Sequence, residues 1–283
     1  MIVMTAVAAD APRITVPRHR LVVRVTHWIN VVALTLMLMS GLNIFNAHPA
    51  LYWGKASDFA RPWLSMTAEQ ARPHNRGVLT IGPMAFDTTG VFGVSKDKGM
   101  WTNRGFPEEV TLPQQTALSN ARHWHFFWAW VFGLNGLVYL VSGVINRHLG
   151  RDVVPHRRDW KALGQDIVDH IRLRFHHGWA STRYGPLQRI AYAGIVLIVL
   201  PVIVLTGMTM SPGLDAAFPF LPGLFGGRQS ARSIHFLCAF ASVGFIIVHV
   251  VMVLLTKPVN QVKGMVLGRF TIIDDGKPEE GQP

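Results

Sequence analysis

Residues 231–253 read ARSIHFLCAFASVGFIIVHVVMV, an apolar run with one histidine towards each end. At about 1.5 Å per residue, a helix of this length crosses a hydrocarbon core of about 30 Å. His235 and His249 are fourteen positions apart, which is only about 40° short of four full helical turns. The spacing therefore predicts that both imidazoles leave the same face of one membrane-spanning helix, about 21 Å apart along its axis.

Three other apolar runs, at residues 25–45, 124–145 and 190–210, are also long enough to cross a membrane. The whole chain is 49% hydrophobic and only 15% charged, which excludes a soluble enzyme, a disordered chain and a fibrous protein. A porin is excluded as well, because its strands alternate polar and apolar residues. We predict an all-α membrane protein, a four-transmembrane-helix bundle with a long loop between the first two spans.

Lysine and arginine are distributed unevenly around the four spans. Seventeen lie before span one, between spans two and three or after span four, whereas two lie between spans three and four. The eight between the apolar runs of spans one and two, residues 46–123, are left out, because the positive-inside bias acts over short loops. We expect a multi-pass protein with both termini cytoplasmic. This topology also explains the net charge of +11, so no nucleic-acid partner is expected.

The predicted segments alternate between the two sides of the membrane. They are a cytoplasmic N-terminal segment (1–21), transmembrane helix 1 (22–45), an extracytoplasmic loop or cap (46–121), transmembrane helix 2 (122–147), a cytoplasmic loop with an amphipathic helix (148–186), transmembrane helix 3 (187–210), an extracytoplasmic loop (211–232), transmembrane helix 4 (233–256) and a cytoplasmic tail (257–283).

The segment 46–121 is punctuated by prolines and glycines, so we expect turns and short pieces of structure there. It also carries Trp53, Trp63 and Trp101, which favour a small ordered cap able to dock another protein. An insertion without a partner is the alternative. In the segment 148–186, apolar residues recur every three or four positions beside basic ones, which predicts an amphipathic helix lying along the membrane surface.

Ionisable side chains inside spanning helices are costly, and they usually face a partner, a cavity or a cofactor. By depth, His27 of span one pairs with His249 at the inner surface, and His125 of span two pairs with His235 at the outer surface. Each pair is placed to clamp one planar metal complex between two helices. The alternative is that each histidine finds its own hydrogen-bond partners at a helix interface, without a shared ligand.

His123 competes with His125 for the outer position. The two lie about 200° apart around a helix, so only one of them faces the bundle. We choose His125, because its stripe contains small residues whereas the stripe through His123 is bulky and suits lipid. The first stripe continues through Ala129, Phe132, Gly136, Tyr139 or Leu140, and Gly143, and the second through Phe127, Trp130, Leu134, Leu137 and Val141.

Two neutral imidazoles on opposite faces of a porphyrin leave no open position on the iron, which suits electron transfer. A structural zinc would instead need four clustered ligands. Candidate partners for the haem propionates are Arg20 and Arg24 near the inner pair and Arg122 and Arg232 near the outer pair. The alternative is that these arginines are ordinary basic residues that flank the spans and extend to the membrane surface. No catalytic residue is predicted.

Seven motifs resemble the cytochrome b561 family of bacterial membrane proteins, in particular the haem b subunits of hydrogenases, thiosulfate reductases and other molybdenum oxidoreductases. They are RVTHWIN (24–30), SGLNIF (40–45), RHWHFFWAW (122–130), NGLVYL (135–140), LTGMTMSPGLD (205–215), SARSIHF (230–236) and HVVMVLL (249–255).

The resemblance implies two bis-histidine haems b, ligated by His27 and His249 and by His125 and His235. It also implies electron exchange, in the bacterial inner (cytoplasmic) membrane, between quinone and an extracytoplasmic redox protein of the molybdenum enzyme or hydrogenase type. The long 46–121 segment departs from the family pattern and leaves the partner open.

Two other functions remain as alternatives. One is a self-contained superoxide:quinone oxidoreductase, in which Arg122, Arg228 and Arg232 would form a basic entrance for the anion. The other is a haem-free membrane anchor or transporter helper, whose histidines relay protons. The spans contain no Asp or Glu, and this weakens the second alternative because proton paths usually recruit carboxylates.

Overall fold

The computed structural model describes residues 12–175, 178–274 and 276. In chain order its elements are β1 (Arg13–Pro17), α1 (Leu21–Asn46), β2 (Ala50–Leu51), β3 (Leu64–Glu69), β4 (Arg76–Ile81), β5 (Met84–Asp87), β6 (Val94–Asp97), β7 (Met100–Asn103), a 3-10 turn (Glu108–Val110), α2 (Leu118–Ile145), a π-helical turn (Leu149–Val153), α3 (Arg157–Ile171), a 3-10 turn (Gly178–Thr182), α4 (Pro186–Gly194), a π-helical turn (Ile195–Val199), α5 (Leu200–Met208), α6 (Pro212–Ala217), α7 (Leu221–Leu224), α8 (Arg228–Leu255), α9 (Pro258–Leu267) and β8 (Arg269–Ile273). The outer parts of the predicted end segments 1–21 and 257–283 lie outside the described residues.

Among the residues that the structure describes, four helices are long and apolar enough to cross a membrane, which confirms the predicted four-span architecture. Three of them are α1, α2 and α8, and the third span in sequence runs over Gly178–Met208. This span is not one regular α-helix, because the π-helical turn separates α4 from α5 just before Pro201. A proline inside a helix removes a hydrogen bond and clashes with the carbonyl four residues earlier, and a local change of helical pitch relieves both problems.

The contacts divide the chain into two compact units. The terminal unit comprises the chain up to His27, Leu137–Ile198 and the chain from Gly244 onward; the central unit comprises Trp28–Gly136 and Val199–Val243.

In the central unit, all four spans contribute to one apolar core. Ala33 and Met37 of α1 pack with Phe132 of α2 and Ile203 of α5, and Ala239 of α8 packs against this cluster. Ala33 is fully buried, and such small residues let neighbouring helices approach closely. This core gives the membrane part of the central unit its bundle architecture.

The cap, residues 47–117 between α1 and α2, also belongs to the central unit. Strands β2 to β5 form an antiparallel sheet in sequence order, and β6 and β7 form a separate hairpin. Buried Leu51, Leu64, Met66 and Phe106 pack against Phe45 at the end of α1. The cap is thus attached to the membrane helices by its own apolar core.

The turns and short pieces expected in this segment are hairpins of short strands, and its glycines lie in the turns. Lys98 and Gly99, between β6 and β7, both have positive φ, which is the geometry of a two-residue hairpin turn. Gly82 also has a positive φ and lies between β4 and β5. Glycines that suggest a loop in the sequence therefore lie in the turns between short strands.

In the terminal unit, the two ends of the described chain lie side by side. β1 pairs antiparallel with β8 in the register Thr15↔Thr271, and the backbone N–H of Arg18 donates to the carbonyl of Gly268 at 2.9 Å. An even number of spans returns the chain to the side on which it began, and this strand pair is consistent with that count.

Helix α3 of the terminal unit is amphipathic. The Asp159 carboxylate accepts a hydrogen bond from the backbone N–H of His156 at 2.6 Å, which ties down the start of the helix. Trp160 and Ile171 are 57% and 77% exposed, and an apolar face of this kind suits a membrane surface.

Candidate functional site

His125 and His235 face each other in the central unit. Their ring centroids are 6.2 Å apart and their planes are inclined by 62°. The Nδ1 atom of His125 lies 3.0 Å from the carbonyl oxygen of Met37, and that of His235 lies 2.9 Å from the carbonyl oxygen of Ile203. A carbonyl only accepts hydrogen bonds, so Nδ1 carries the proton in both rings and each Nε2 keeps its lone pair.

The second pair, His27 and His249, lies in the terminal unit. Its ring centroids are 6.3 Å apart and its planes are also inclined by 62°. The rings of Phe245 and Tyr192 pack against His249, with centroids at 5.8 Å and 6.4 Å. The structure therefore places the four histidines in two pairs, one pair in each unit.

His123 is placed differently. It is exposed, and Phe127, Trp130 and Leu134 along its stripe are 61%, 62% and 59% exposed. Phe132, on the stripe of His125, is 3% exposed and belongs to the bundle core. The helix α2 thus turns His123 outward, towards the surroundings of the bundle.

Comparison with known proteins gives the family. Residues 18–268 match the family model of prokaryotic cytochrome b561. The chain belongs to this family. The cytochrome is also similar to YedZ1 of Azospira oryzae, described as a putative protein-methionine-sulfoxide reductase subunit, with 29% identity over 232 residues that cover 82% of this chain and 87% of the relative. No solved structure matches the chain.

Membership of the family confirms the resemblance and makes the cytochrome a multi-pass membrane protein of electron transport. The family implies haem b, and the histidine pairs fit it. Two imidazoles that bind one metal from opposite sides, with bonds of about 2.0 Å and nitrogens about 1.1 Å from the ring centres, have centroids about 6 Å apart. Both pairs have this separation, so a bis-histidine iron fits either one.

Of the four candidate propionate partners, Arg20 and Arg24 belong to the terminal unit and Arg122 and Arg232 to the central unit. All four contact protein groups. Arg20 donates to the side-chain oxygen of Asn146 at 2.7 Å, and Arg24 donates to the carbonyl of Val266. Within the described part of the chain, the buried Nε of Arg24 has no hydrogen-bond partner. Arg24 therefore keeps one donor for an anion in the unit that contains His27 and His249.

In the central unit the two arginines differ. Arg232 donates to the carbonyl oxygens of Ala50 and His48, at 3.0 Å and 2.6 Å, so this guanidinium holds the cap. Arg122 lies over the ring of Phe126 at 5.4 Å.

Sequence reasoning missed two side chains beside the histidines. The Ser40 Oγ lies 3.3 Å from the Nδ1 of His125, and the Thr206 Oγ1 lies 3.2 Å from the Nδ1 of His235. The available signal was a hydroxyl residue followed by glycine in spans one and three, at residues 40–41 and 206–207.

Proposed function

We propose that the protein is a dihaem b-type cytochrome that transfers electrons across the membrane between the quinone pool and an extracytoplasmic redox partner. The observation that carries the proposal is the equal separation of the two imidazole pairs, 6.2 Å and 6.3 Å. His235 and His249 belong to the same helix, α8, so one helix would contribute a ligand to each haem.

Each histidine pair would hold one haem b, and Arg24 has a donor for a propionate. When bound, haem b supplies an iron centre that accepts and releases one electron at a time. Because two imidazoles would hold each iron, the chain would leave no room there for oxygen or other small ligands. This favours electron transfer over oxygen chemistry.

The proposed orientation places both termini on the cytoplasmic side of a bacterial inner membrane. Its support is the distribution of lysine and arginine, seventeen against two in the short flanking segments. In this orientation His27 and His249 lie near the cytoplasmic surface, and the cap lies on the extracytoplasmic side with His125 and His235.

We infer that the partner is an extracytoplasmic oxidoreductase. YedZ1 is described as a putative subunit of a protein-methionine-sulfoxide reductase, which favours a catalytic subunit of that reaction type, within the molybdenum enzyme or hydrogenase class expected from the motifs. Quinone is the proposed redox partner inside the membrane.

The test is purification of the protein from bacterial membranes, followed by a haem-to-protein ratio and an absorption spectrum. We expect two haems per chain, low-spin bis-imidazole bands and reduction of the haems by a soluble quinol analogue. A colourless preparation would support the haem-free anchor, and one haem with all four histidines intact would overturn the dihaem assignment. Quinone reduction by superoxide without any partner protein would favour the self-contained oxidoreductase.

A further inference from the structure

Spans one and three present the same local pattern to a histidine of the following span. In α1 the pattern is Met37, then Ser40 three positions later and Gly41 after it. In α5 it is Ile203, then Thr206 and Gly207 at the same offsets. The histidine facing the first pattern is His125 of α2, and the one facing the second is His235 of α8. We call each of these three-residue patterns a cradle.

The contacts in the two cradles agree atom by atom. In each, the first residue of the pattern offers its carbonyl oxygen to the imidazole Nδ1, and the hydroxyl oxygen of the second lies 3.3 Å or 3.2 Å from the same nitrogen. A Cβ built on either glycine would lie 3.3 Å from the Cε1 of the histidine, which is tighter than ordinary packing. The glycines therefore allow each ring to lie directly against the neighbouring helix.

The direction of the hydroxyl hydrogen bonds follows from their other contacts. The Ser40 hydroxyl donates to the carbonyl of Leu36 at 2.6 Å, and the Thr206 hydroxyl donates to that of Val202 at 2.7 Å. With its proton engaged there, each hydroxyl has only lone pairs left for the imidazole. The Nδ1–H of each histidine is then shared between two acceptors, a carbonyl and a hydroxyl oxygen.

We propose that Ser40 and Thr206 are positioning residues that fix the two imidazoles of one haem and set its reduction potential. The proposal rests on the proposed function, because it assigns His125 and His235 as ligands. Acceptors on Nδ1–H increase the basicity of a metal-bound imidazole, which stabilises the oxidised iron. The two hydroxyls thus lower the potential of this haem, each from its own side.

The experiment is a redox titration of the haem-loaded protein carrying Ser40→Ala, Thr206→Val or both. We expect both haems to remain bound and only the potential of the haem between His125 and His235 to rise. A change of up to about tenfold in the ratio of oxidised to reduced iron per hydroxyl corresponds to about 59 mV for one electron. The double variant should show the sum of the two single shifts.

The matched control is Thr35→Ala. Thr35 is also in α1 and its hydroxyl also donates to the carbonyl four residues earlier, Val31, at 2.8 Å, but its side chain is exposed. This variant should leave both potentials unchanged. The conservative variants Ser40→Thr and Thr206→Ser keep the hydroxyl, and each should retain the potential of the unmodified protein.

Three results would overturn the inference. Unchanged potentials in Ser40→Ala and Thr206→Val with full haem content would show that the hydroxyls do not act on the iron. An equal shift in Thr35→Ala would show a general effect on α1. If Ser40→Ala and Thr206→Val lose the haem, the variants that keep the hydroxyl decide. Haem retained in Ser40→Thr and Thr206→Ser supports the role of the hydroxyls, whereas haem lost from them as well shows that only the shape of the side chain matters. Absence of haem from the unmodified protein would instead refute the proposed function.

Discussion

The imidazoles of His125 on α2 and His235 on α8 face each other with centroids 6.2 Å apart and planes inclined by 62°. Edge-to-face aromatic packing covers the same range of distances, and the hydrogen bonds of this pair add a second, independent indication of metal ligation. Backbone carbonyls hold both Nδ1 atoms, and this leaves both Nε2 atoms free to bind one metal between the rings.

The choice between the two histidines at the start of α2 gives the first prediction. His125→Ala should reduce the haem content from two to one per chain, because it removes an axial ligand. His123→Ala should keep both haems, since His123 is exposed on the outward face of α2. The measurement is the haem-to-protein ratio of the purified variants. The opposite pattern, with loss in His123→Ala and retention in His125→Ala, would reverse the assignment.

The second prediction concerns the terminal unit. His249→Ala should remove the haem assigned to His27 and His249 and leave the other in place, because the two pairs belong to different compact units. Combined with His125→Ala, it should give a protein without haem. Redox titration of the single variant should show one component with the potential that the central-unit haem has in the unmodified protein. Loss of both haems from His249→Ala alone would contradict this independence.

Spans and histidine pairs were predictable, because a continuous apolar run and a fourteen-residue spacing constrain helix length and facing directly. An ordered cap was expected, but its strands were not, because they are four to six residues long apart from the two-residue β2, and their turn residues resemble those of a loop. The partners of Arg232 were equally inaccessible, since they are backbone carbonyls of the cap. Only the folded chain brings such acceptors to a side chain.

The third prediction is a pH dependence of stability in the terminal unit. Burial and the neighbouring Arg18 guanidinium lower the pKa of His19 from 6.5 to about 4. Between these two values the unfolded chain binds a proton that the folded chain does not, so stability falls as the pH falls, by about 1.4 kcal/mol per pH unit at most. The effect is absent above pH 6.5 and saturates below about pH 4.

The variant His19→Gln should flatten this slope. Thermal unfolding of the detergent-solubilised protein, measured from pH 7 to pH 4, provides the comparison. We expect the unmodified protein to lose more of its melting temperature over this interval than the variant does. Parallel curves for the two proteins would show that His19 titrates alike in the folded and unfolded states.

The fourth prediction concerns the attachment of the cap to α8. Ser233 is fully buried; its hydroxyl donates to the carbonyl of Tyr52 at 2.6 Å and accepts from the indole N–H of Trp63 at 2.9 Å. Ser233→Ala leaves the Tyr52 carbonyl and the Trp63 indole N–H without this partner, at a cost of about 1–3 kcal/mol.

Ser242→Ala is the matched control, because the hydroxyl of Ser242, also on α8, donates to the carbonyl of Cys238 in its own helix. Thermal unfolding followed by tryptophan fluorescence should show a clearly lower melting temperature for Ser233→Ala than for Ser242→Ala, and equal losses would mean that these bonds do not stabilise the cap.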